Sequence, residues 1–599
     1  MYLLGIHIGH DATAALLEDE RIVAAAAEER LSRIKYHWGF PYRAIGECLR
    51  LGHISGAVID KVLLSSTEVG PEFYTDLVLD PDGGKIDFAN DVPPALGRKF
   101  AAALIEQIGS RGRSLEKRRP YFDQRLQALL EDFDIHAEVL RRDHHMSHAA
   151  SAYYTSGFDR CLVVTIDGWG DGLSATVCLG EGGRLTRLHQ TDAANSPGTI
   201  YAAVTAFLGF RRNKHEGKIT GLAAYGDPAS AYPVMSECLA VRPDKTGFVV
   251  PLYAHRKPSR PKKISWMLSH IFTGSQWVPQ YHILDEYFTE QCGQMSKEEV
   301  AAGVQRVLED TVAEHVAEMA RRYAASDVAL AGGVFSNVRL NQRILELPGV
   351  RRVFVHPNMG DGGLAVGASL LYLAEERLRQ GQPLQPYRLA DVYFGPAYSD
   401  DEIKQAVDRT SFHARYLEDV ETEIARLVSA GKIVGRFNGR MEYGPRALGN
   451  RSILANPTDR SINDWLNQRL KRTEFMPFAP STLKEQANDL YCNFQAGEYP
   501  AEFMTITFQV KEEWRERIGA VNHIDNTARP QVVTAAINPS YHRILQAYQR
   551  LTGLPTFVNT SFNKHEEPIV CTPEDALHSL EIDCVDVLAA GHWIIGETA

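Results

Sequence analysis

The run Asp143-His144-His145-Met146-Ser147-His148 sets two imidazoles four residues apart. On a helix that spacing projects His144 and His148 from one face, where they can share a cation. Packed or capping histidines use the same spacing, so the pair alone leaves both readings open. Two carboxylates favour the cation. Asp167 in TIDGWGDG and Asp361 in HPNMGDGG each follow a predicted strand and lie in a glycine-rich turn. From such a turn a carboxylate can reach a site at the ends of a sheet. Two imidazoles and two carboxylates suit Fe2+, Mn2+ or Zn2+ with positions left open for phosphate. They do not suit a closed structural zinc site.

A second kind of chemistry gathers further along. RFNGRMEYGPRALGNRSILANP (Arg436–Pro457) holds Arg436, Arg440, Arg446 and Arg451 within sixteen residues, among glycines and strand-formers. Guanidinium forks on turns bind phosphate or carboxylate bidentately, and the run predicts an anion pocket. Lys471, Arg472, Arg529 and the segment Asn559-Thr-Ser-Phe-Asn563 follow it. In AGGVFSNVRLN, Gly332 and Gly333 come after a predicted strand and before a helix, a place where backbone amides can meet a nucleotide. No GxxxxGK[ST] loop occurs, so any ATP site is of another design.

The elements that must carry these residues read as α/β. Strands are predicted at Tyr2–Ile8, Val62–Ser65, Cys161–Ile166, Val328–Ala331 and Val353–His356. Helices are predicted from Ser296 to about Ala324 and after Gly363. Tyr2–Asp11 with Ala14–Leu17, and Cys161–Gly172 with Leu173–Leu179, are hairpins of one kind, each turn carrying Gly and Asp. Actin-like and sugar-kinase-like ATPases hold phosphate on such duplicated turns. The Pro- and Gly-rich stretch Leu378–Tyr398 marks a boundary, after which a helix from Asp400 and a strand at Lys432–Phe437 open a second unit. HRKPSRPKK (His255–Lys263) reads as a solvated loop.

Composition bounds the partners. The 599 residues are 44% hydrophobic and 23% charged, with 64 basic and 75 acidic side chains for a net charge of −11. That balance argues against a protein whose main partner is a nucleic-acid backbone. The eight cysteines form no CxxC pair, which predicts reduced, mostly buried thiols. No uninterrupted apolar stretch of about 18 residues occurs, and the first residues carry no signal-peptide pattern, so a cytoplasmic protein without a membrane partner is predicted.

Several stretches, in order, identify a family: residues 5–36 from GIHIGHDATAALL to LSRIKY, DHHMSHAASAYYTSGF, EGKITGLAAYG, GGVFSN, HPNMGDGG, EYGPRALGNRSILA, PFAPS and NTSFNKHEEPIVCTPEDAL. With them the chain resembles the NodU/CmcH/TobZ O-carbamoyltransferases of nodulation-factor and antibiotic biosynthesis. The resemblance implies an N-terminal domain over residues 1–385, similar to tRNA threonylcarbamoyl-transferases of the actin/sugar-kinase superfamily. It implies a YrdC-like domain over 386–599. The second would make carbamoyl adenylate from carbamoyl phosphate and ATP, with Mg2+. The first would pass the carbamoyl group to a hydroxyl of a small-molecule acceptor.

Carried over by motif, the metal ligands are His144, His148, Asp167 and Asp361, with Fe2+ foremost and Zn2+ or Mn2+ as alternatives. Arg446, Lys471, Arg472, Arg529, Ser561 and Asn563 would bind carbamoyl phosphate and ATP. Gly332, Gly333 and Asn337 would hold the adenylate in the first domain. His10, Asp11, Lys35, Glu216 and Lys218 would surround the transfer step. Met476 stands where many relatives have arginine, and RLKRTEF (Arg469–Phe475) is one residue short of the common pattern, so the Lys471 match depends on gap placement. A tRNA-modifying enzyme of the same N-terminal fold and a non-catalytic nucleotide-binding protein are the rivals. The acidic charge and the second half weigh against the first, and the full ligand set against the second. The paired CxxC fingers of a hydrogenase-maturation carbamoyltransferase are missing. The acceptor is not readable, because the segments that would select it, Glu68–Arg119 and Pro228–Trp277, carry no motif.

Overall fold

Tyr2–His7 is a strand in which every residue after Tyr2 is buried, Leu4 and Ile6 toward one side and Leu3 toward the other. That is the pattern of an inner strand covered on both faces. The computed structural model describes residues 1–67, 115–257, 278–461, 469 and 478–596. Within them this strand sits at the centre of a five-stranded sheet, in the order Arg21–Ala27, Thr13–Glu18, Tyr2–His7, Lys61–Leu64, Glu138–Arg141. The first two pairings are antiparallel and the last two parallel.

A second sheet repeats that plan. Its order is Arg184–Asp192, Leu173–Glu181, Arg160–Gly170, Asp327–Ala331, Arg352–Val355, again two antiparallel pairings and then two parallel. Alternation splits its central strand in the same way. Leu162, Val164 and Ile166 join one core and Cys161 and Val163 another. The predicted hairpin resemblance therefore extends to whole sheets.

The shared core lies between the two sheets. It is filled by helices His144–Tyr154 and Leu364–Arg379. All residues of the first except Met146 are buried, as a helix packed on several sides requires. The outer face of the second sheet carries Lys297–Arg322, which a Ser296/Glu299 capping box starts, together with Pro197–Phe207 and Val278–Cys292. The outer face of the first carries Tyr42–Gly52 and Leu115–Glu131.

Residues 380–399 contain no helix or strand. After them comes an eight-stranded mixed sheet, in the order Ala414–Tyr416, Trp593–Ile595, Val587–Ala590, Val434–Phe437, Arg451–Ala455, Thr556–Ser561, Ala479–Leu483, Gln531–Val533. The two halves are not separate globules. Tyr443, Leu448, Ala479, Phe503 and Met504 enter the core between the first two sheets.

All eight cysteines are free and seven are buried. Among the described residues no helix is long and apolar enough to cross a membrane. Lys471, Arg472 and Met476 lie outside the described residues, as do most of 68–119 and the basic stretch from residue 258 onward.

Candidate active site

The histidine pair is built by its helix. Asp143 caps the N-terminus, its carboxylate accepting from the Met146 amide at 2.8 Å. Asp171 accepts from the His144 amide at 2.9 Å and from the Ser66 hydroxyl at 2.7 Å. One turn apart, His144 and His148 present both Nε2 atoms to Asp167 Oδ2, each at 3.3 Å. Asp167 sits where the register of Arg160–Gly170 slips between Ile166 and Gly170, and such a bulge re-aims a side chain. Asp361 opens the short turn into Leu364–Arg379, and its Oδ1 lies 3.6 Å and 3.5 Å from the two imidazoles. A side chain on Gly170 would come within 2.1 Å of the His144 ring, so the loop admits only glycine there.

The four donor atoms lie within 4.8 Å of one another. Ligands bonded at about 2.1 Å to one ion stand roughly 3.0–3.4 Å apart, close to the distances found here. Asp361 Oδ1 is buried without a hydrogen bond, which is costly unless something else satisfies it. The donor set therefore fits a divalent cation. Burial opposes charge on Asp167, but its hydrogen bonds to His144 and His148 prevail and hold it well below the usual carboxylate range.

This cluster borders a cavity of about 1400 Å³, lined also by His10, Asp11, Lys35, Glu216, Gly333, Asn337 and Arg446. Gly332 lies just behind the lining. Its φ of +101° and its approach to the Ile166 carbonyl, 2.3 Å from where a Cβ would stand, exclude any other residue. Lys218 is buried and is not among the lining residues. Asn337 lines the cavity, but its side chain already caps Val338–Leu345 and exchanges hydrogen bonds with Gln305. His10 Nδ1 is 3.2 Å from Asp11 Oδ2. Burial disfavours charge on His10, yet the Asp11 carboxylate overrides it and pushes the imidazole up to about 9. Glu216 is raised by burial and accepts from the Asn213 amide at 2.6 Å.

Residues 2–370 match the family described as carbamoyltransferase N-terminus, and residues 425–597 that described as carbamoyltransferase C-terminus. The chain belongs to the carbamoyltransferase family. It is 32% identical to nodulation protein NolNO of Sinorhizobium fredii, over 98% of this chain and 79% of the relative. It is 30% identical to an uncharacterized protein of Synechocystis sp., over 100% of this chain and 97% of the other. Component A of (R)-2-hydroxyglutaryl-CoA dehydratase from Acidaminococcus fermentans aligns with a TM-score of 0.32 at 16% identity, over 62% of this chain and 96% of that one. The protein is thus a transferase enzyme.

The arginine run of the carbamoyltransferase corrects the sequence reading. Arg436 donates to the Gly449 carbonyl, to Asn450 Oδ1 at 3.1 Å and to Ser540 Oγ at 2.8 Å. Arg440 donates to the Phe394 carbonyl at 2.6 Å and the Val23 carbonyl at 2.9 Å, tying the second half to the first sheet. Arg451 donates to the carbonyls of Asn438, Asn450 and Pro396, with its guanidinium 3.8 Å above the Phe437 ring. These three build the loop and line no part of the large cavity. Arg446 alone does, half-buried, its guanidinium pulled down to about 10 by desolvation.

Arg446 shares neither of two described cavities with Arg529, Ser561 and Asn563, and Lys471 and Arg472, expected with them, lie outside the described residues. Arg529 lines a second cavity of about 170 Å³ with Arg306, Arg339, His523 and Asp525. Ser561 and Asn563 line neither cavity. The Asn563 amide donates to the carbonyls of Lys564 and Glu567, both at 2.8 Å. Thr220 lines both cavities, so the two abut.

Sequence reasoning missed His7, Glu29, Tyr36 and Asp171. His7 Nε2 is 3.0 Å from the His10 carbonyl, which can only accept, so the proton is on Nε2. The same atom is 3.7 Å from Asp361 Oδ2, and His7 thereby links the first hairpin turn to the cluster. Glu29 accepts from the Tyr36 amide at 2.8 Å and faces Lys35 at 3.7 Å. Asp171 stood in plain view four residues after Asp167. Its role as a backbone acceptor has no local signature.

Proposed function

We propose that this enzyme is an ATP-dependent O-carbamoyltransferase working in two steps. Residues 386–599, a YrdC-like unit, form carbamoyl adenylate from carbamoyl phosphate, ATP (taken with Mg2+) and one water, with phosphate and pyrophosphate leaving. Residues 1–385, an actin/sugar-kinase-like unit, pass the carbamoyl group to a hydroxyl of a small organic acceptor. The observation that supports this best is the convergence of His144, His148, Asp167 and Asp361 beside a cavity also lined by His10, Asp11, Lys35 and Arg446. The abutting second cavity brings Arg529, assigned to the adenylating step, next to the first.

In the transfer step the acceptor oxygen bonds to the carbamoyl carbon, the bond from that carbon to the phosphate oxygen breaks, and AMP leaves. Nitrogen donation makes a carbamoyl group a poor electrophile, so a good leaving group is needed. The Asp11 carboxylate, paired with His10, is placed to take the hydroxyl proton. Arg446 and Lys35 meet the negative charge that gathers on the departing phosphate. A cation held by His144, His148, Asp167 and Asp361 would add Lewis-acid stabilisation at the phosphate oxygens, and this donor set suits Fe2+, Zn2+ or Mn2+. Two abutting cavities in one chain shorten the path of an adenylate that water would hydrolyse.

The test is AMP formation from ATP that depends on carbamoyl phosphate, followed by mass spectrometry of acceptors for a gain of about 43 Da, one carbamoyl group replacing hydrogen. An enzyme that forms no AMP with carbamoyl phosphate present ends the proposal.

A further inference from the structure

Two imidazoles among the described residues stand on a cavity with Nδ1 against a carboxylate and Nε2 buried without a hydrogen bond. One is His10, on the large cavity. The other is His523, 9% exposed, on the second cavity, where the transfer step does not involve it. His523 Nδ1 lies 3.3 Å from Asp525 Oδ1. Asp525 also accepts from the Thr527 hydroxyl at 2.6 Å and the Thr527 amide at 3.0 Å, and Arg339 Nε approaches its other oxygen at 3.7 Å. Burial opposes charge on Asp525, but the hydrogen bonds from His523 and Thr527 prevail and hold it well below the usual carboxylate range. A carboxylate so occupied is a poor proton acceptor, yet it fixes the ring. Nδ1 donates to it, and in the neutral imidazole Nε2 is then the acceptor. Tyr225 stands edge-on to the ring at 5.9 Å. Tyr225 and Arg339 belong to the first half of the chain, so both halves build the pair.

The cavity suits a small anion. Its charged lining sets three guanidiniums, Arg306, Arg339 and Arg529, against two carboxylates, Asp525 and Glu309. Burial raises Glu309 toward its neutral form. At about 170 Å³ the cavity falls below the roughly 300–1000 Å³ of ordinary ligand sites, so it fits carbamoyl phosphate rather than a nucleotide. A buried base beside guanidiniums that can receive a departing phosphate is equipped for hydrolysis.

We infer that His523 is the general base for the water consumed on the way to carbamoyl adenylate, acting on carbamoyl phosphate in the second cavity. Nε2 takes a proton from the water, the water oxygen bonds to the carbonyl carbon, and the bond from that carbon to the phosphate oxygen breaks. Phosphate leaves toward the guanidiniums and receives the proton. The carbamic acid left behind ionises to carbamate, whose oxygen attacks the α-phosphorus of ATP and expels pyrophosphate. The inference rests on the two-step reading above and adds the residue that starts its first step.

The experiment uses the full-length enzyme and two readouts. One is phosphate release from carbamoyl phosphate in the presence of ATP. The other is ATP–pyrophosphate exchange supported by ammonium carbamate, which bypasses the water step. His523→Gln and His523→Ala should lower kcat for phosphate release about 100-fold or more, with the carbamoyl phosphate KM within about threefold of wild type. Both should keep carbamate-supported exchange within about threefold. Asp525→Asn should lower the same kcat about tenfold or more at unchanged KM, through ring orientation. Near-wild-type kcat in both His523 variants, a KM effect in place of the kcat effect, or wild-type exchange that ignores carbamate would each overturn the inference. Parallel loss of phosphate release and exchange would overturn it too, by making His523 structural. A wild-type enzyme that forms no AMP from ATP and carbamoyl phosphate instead sinks the two-step reading. One that forms AMP while the His523 variants keep their kcat sinks only the base.

Discussion

The imidazoles of 144–148 and the guanidiniums of 436–451 are both dense runs of ionisable side chains, and both are largely buried. They do opposite things. His144 and His148 converge on one point with Asp167 and Asp361 and leave Asp361 Oδ1 without a hydrogen bond. Arg436, Arg440 and Arg451 diverge and satisfy backbone carbonyls of the loop around them. A group whose hydrogen-bonding capacity is met by the fold holds the fold together. A group left unmet beside a cavity is available to a ligand. By that criterion Arg446 belongs with the histidines rather than with its neighbours in sequence.

The largest effect expected on this contrast is structural. Arg451→Ala removes a fully buried guanidinium and strips several carbonyls of their donor, and should cost about 3–5 kcal/mol of stability. Chemical denaturation measures it, and a loss below 1 kcal/mol would mean that the loop does not need this arginine. Next comes His148→Ala, which should weaken divalent-cation binding by about 100-fold or more and leave unfolding nearly unchanged. Full cation occupancy by elemental analysis in the variant would make His148 a packing residue like the arginines.

Arg446→Ala should lower carbamoyl transfer about tenfold to 150-fold, the value of a charge-assisted bond of about 1.5–3 kcal/mol. Stability should hold or rise, because a half-buried charge with no carboxylate partner among the described residues is removed. If the variant instead unfolds as readily as Arg451→Ala, the line drawn between the two arginines is wrong. The smallest effect falls on Asp171→Asn. It weakens the acceptor that holds the His144 amide, and should reduce cation affinity by about tenfold through ligand orientation alone. An isothermal titration indistinguishable from wild type would show that the helix cap at Asp143 suffices.

Periodicity made much of the cluster legible in the sequence. A four-residue spacing on a helix puts two side chains on one face whatever surrounds the helix, and a strand followed by Gly-Asp places a carboxylate at a sheet edge. The predicted strands match as well. The two sheets alternate buried side chains so regularly that Arg160–Gly170, Asp327–Ala331 and Arg352–Val355 cover the predicted Cys161–Ile166, Val328–Ala331 and Val353–His356 except for His356. The family, too, is written in the order of short motifs.

What only the tertiary structure decided is where long side chains end. A guanidinium lies several rotatable bonds from its backbone, and its partners, the carbonyls of Val23, Pro396 and Gly449, come from segments up to 417 residues distant. No local pattern encodes such pairings. The same holds for His7, which reaches the cluster because two sheets pack around one pair of helices. It holds for Arg339 and Asp525, which the chain separates and the second cavity reunites. Short-range geometry follows from dihedral preferences within one element. Long-range satisfaction follows from which elements the buried core brings together.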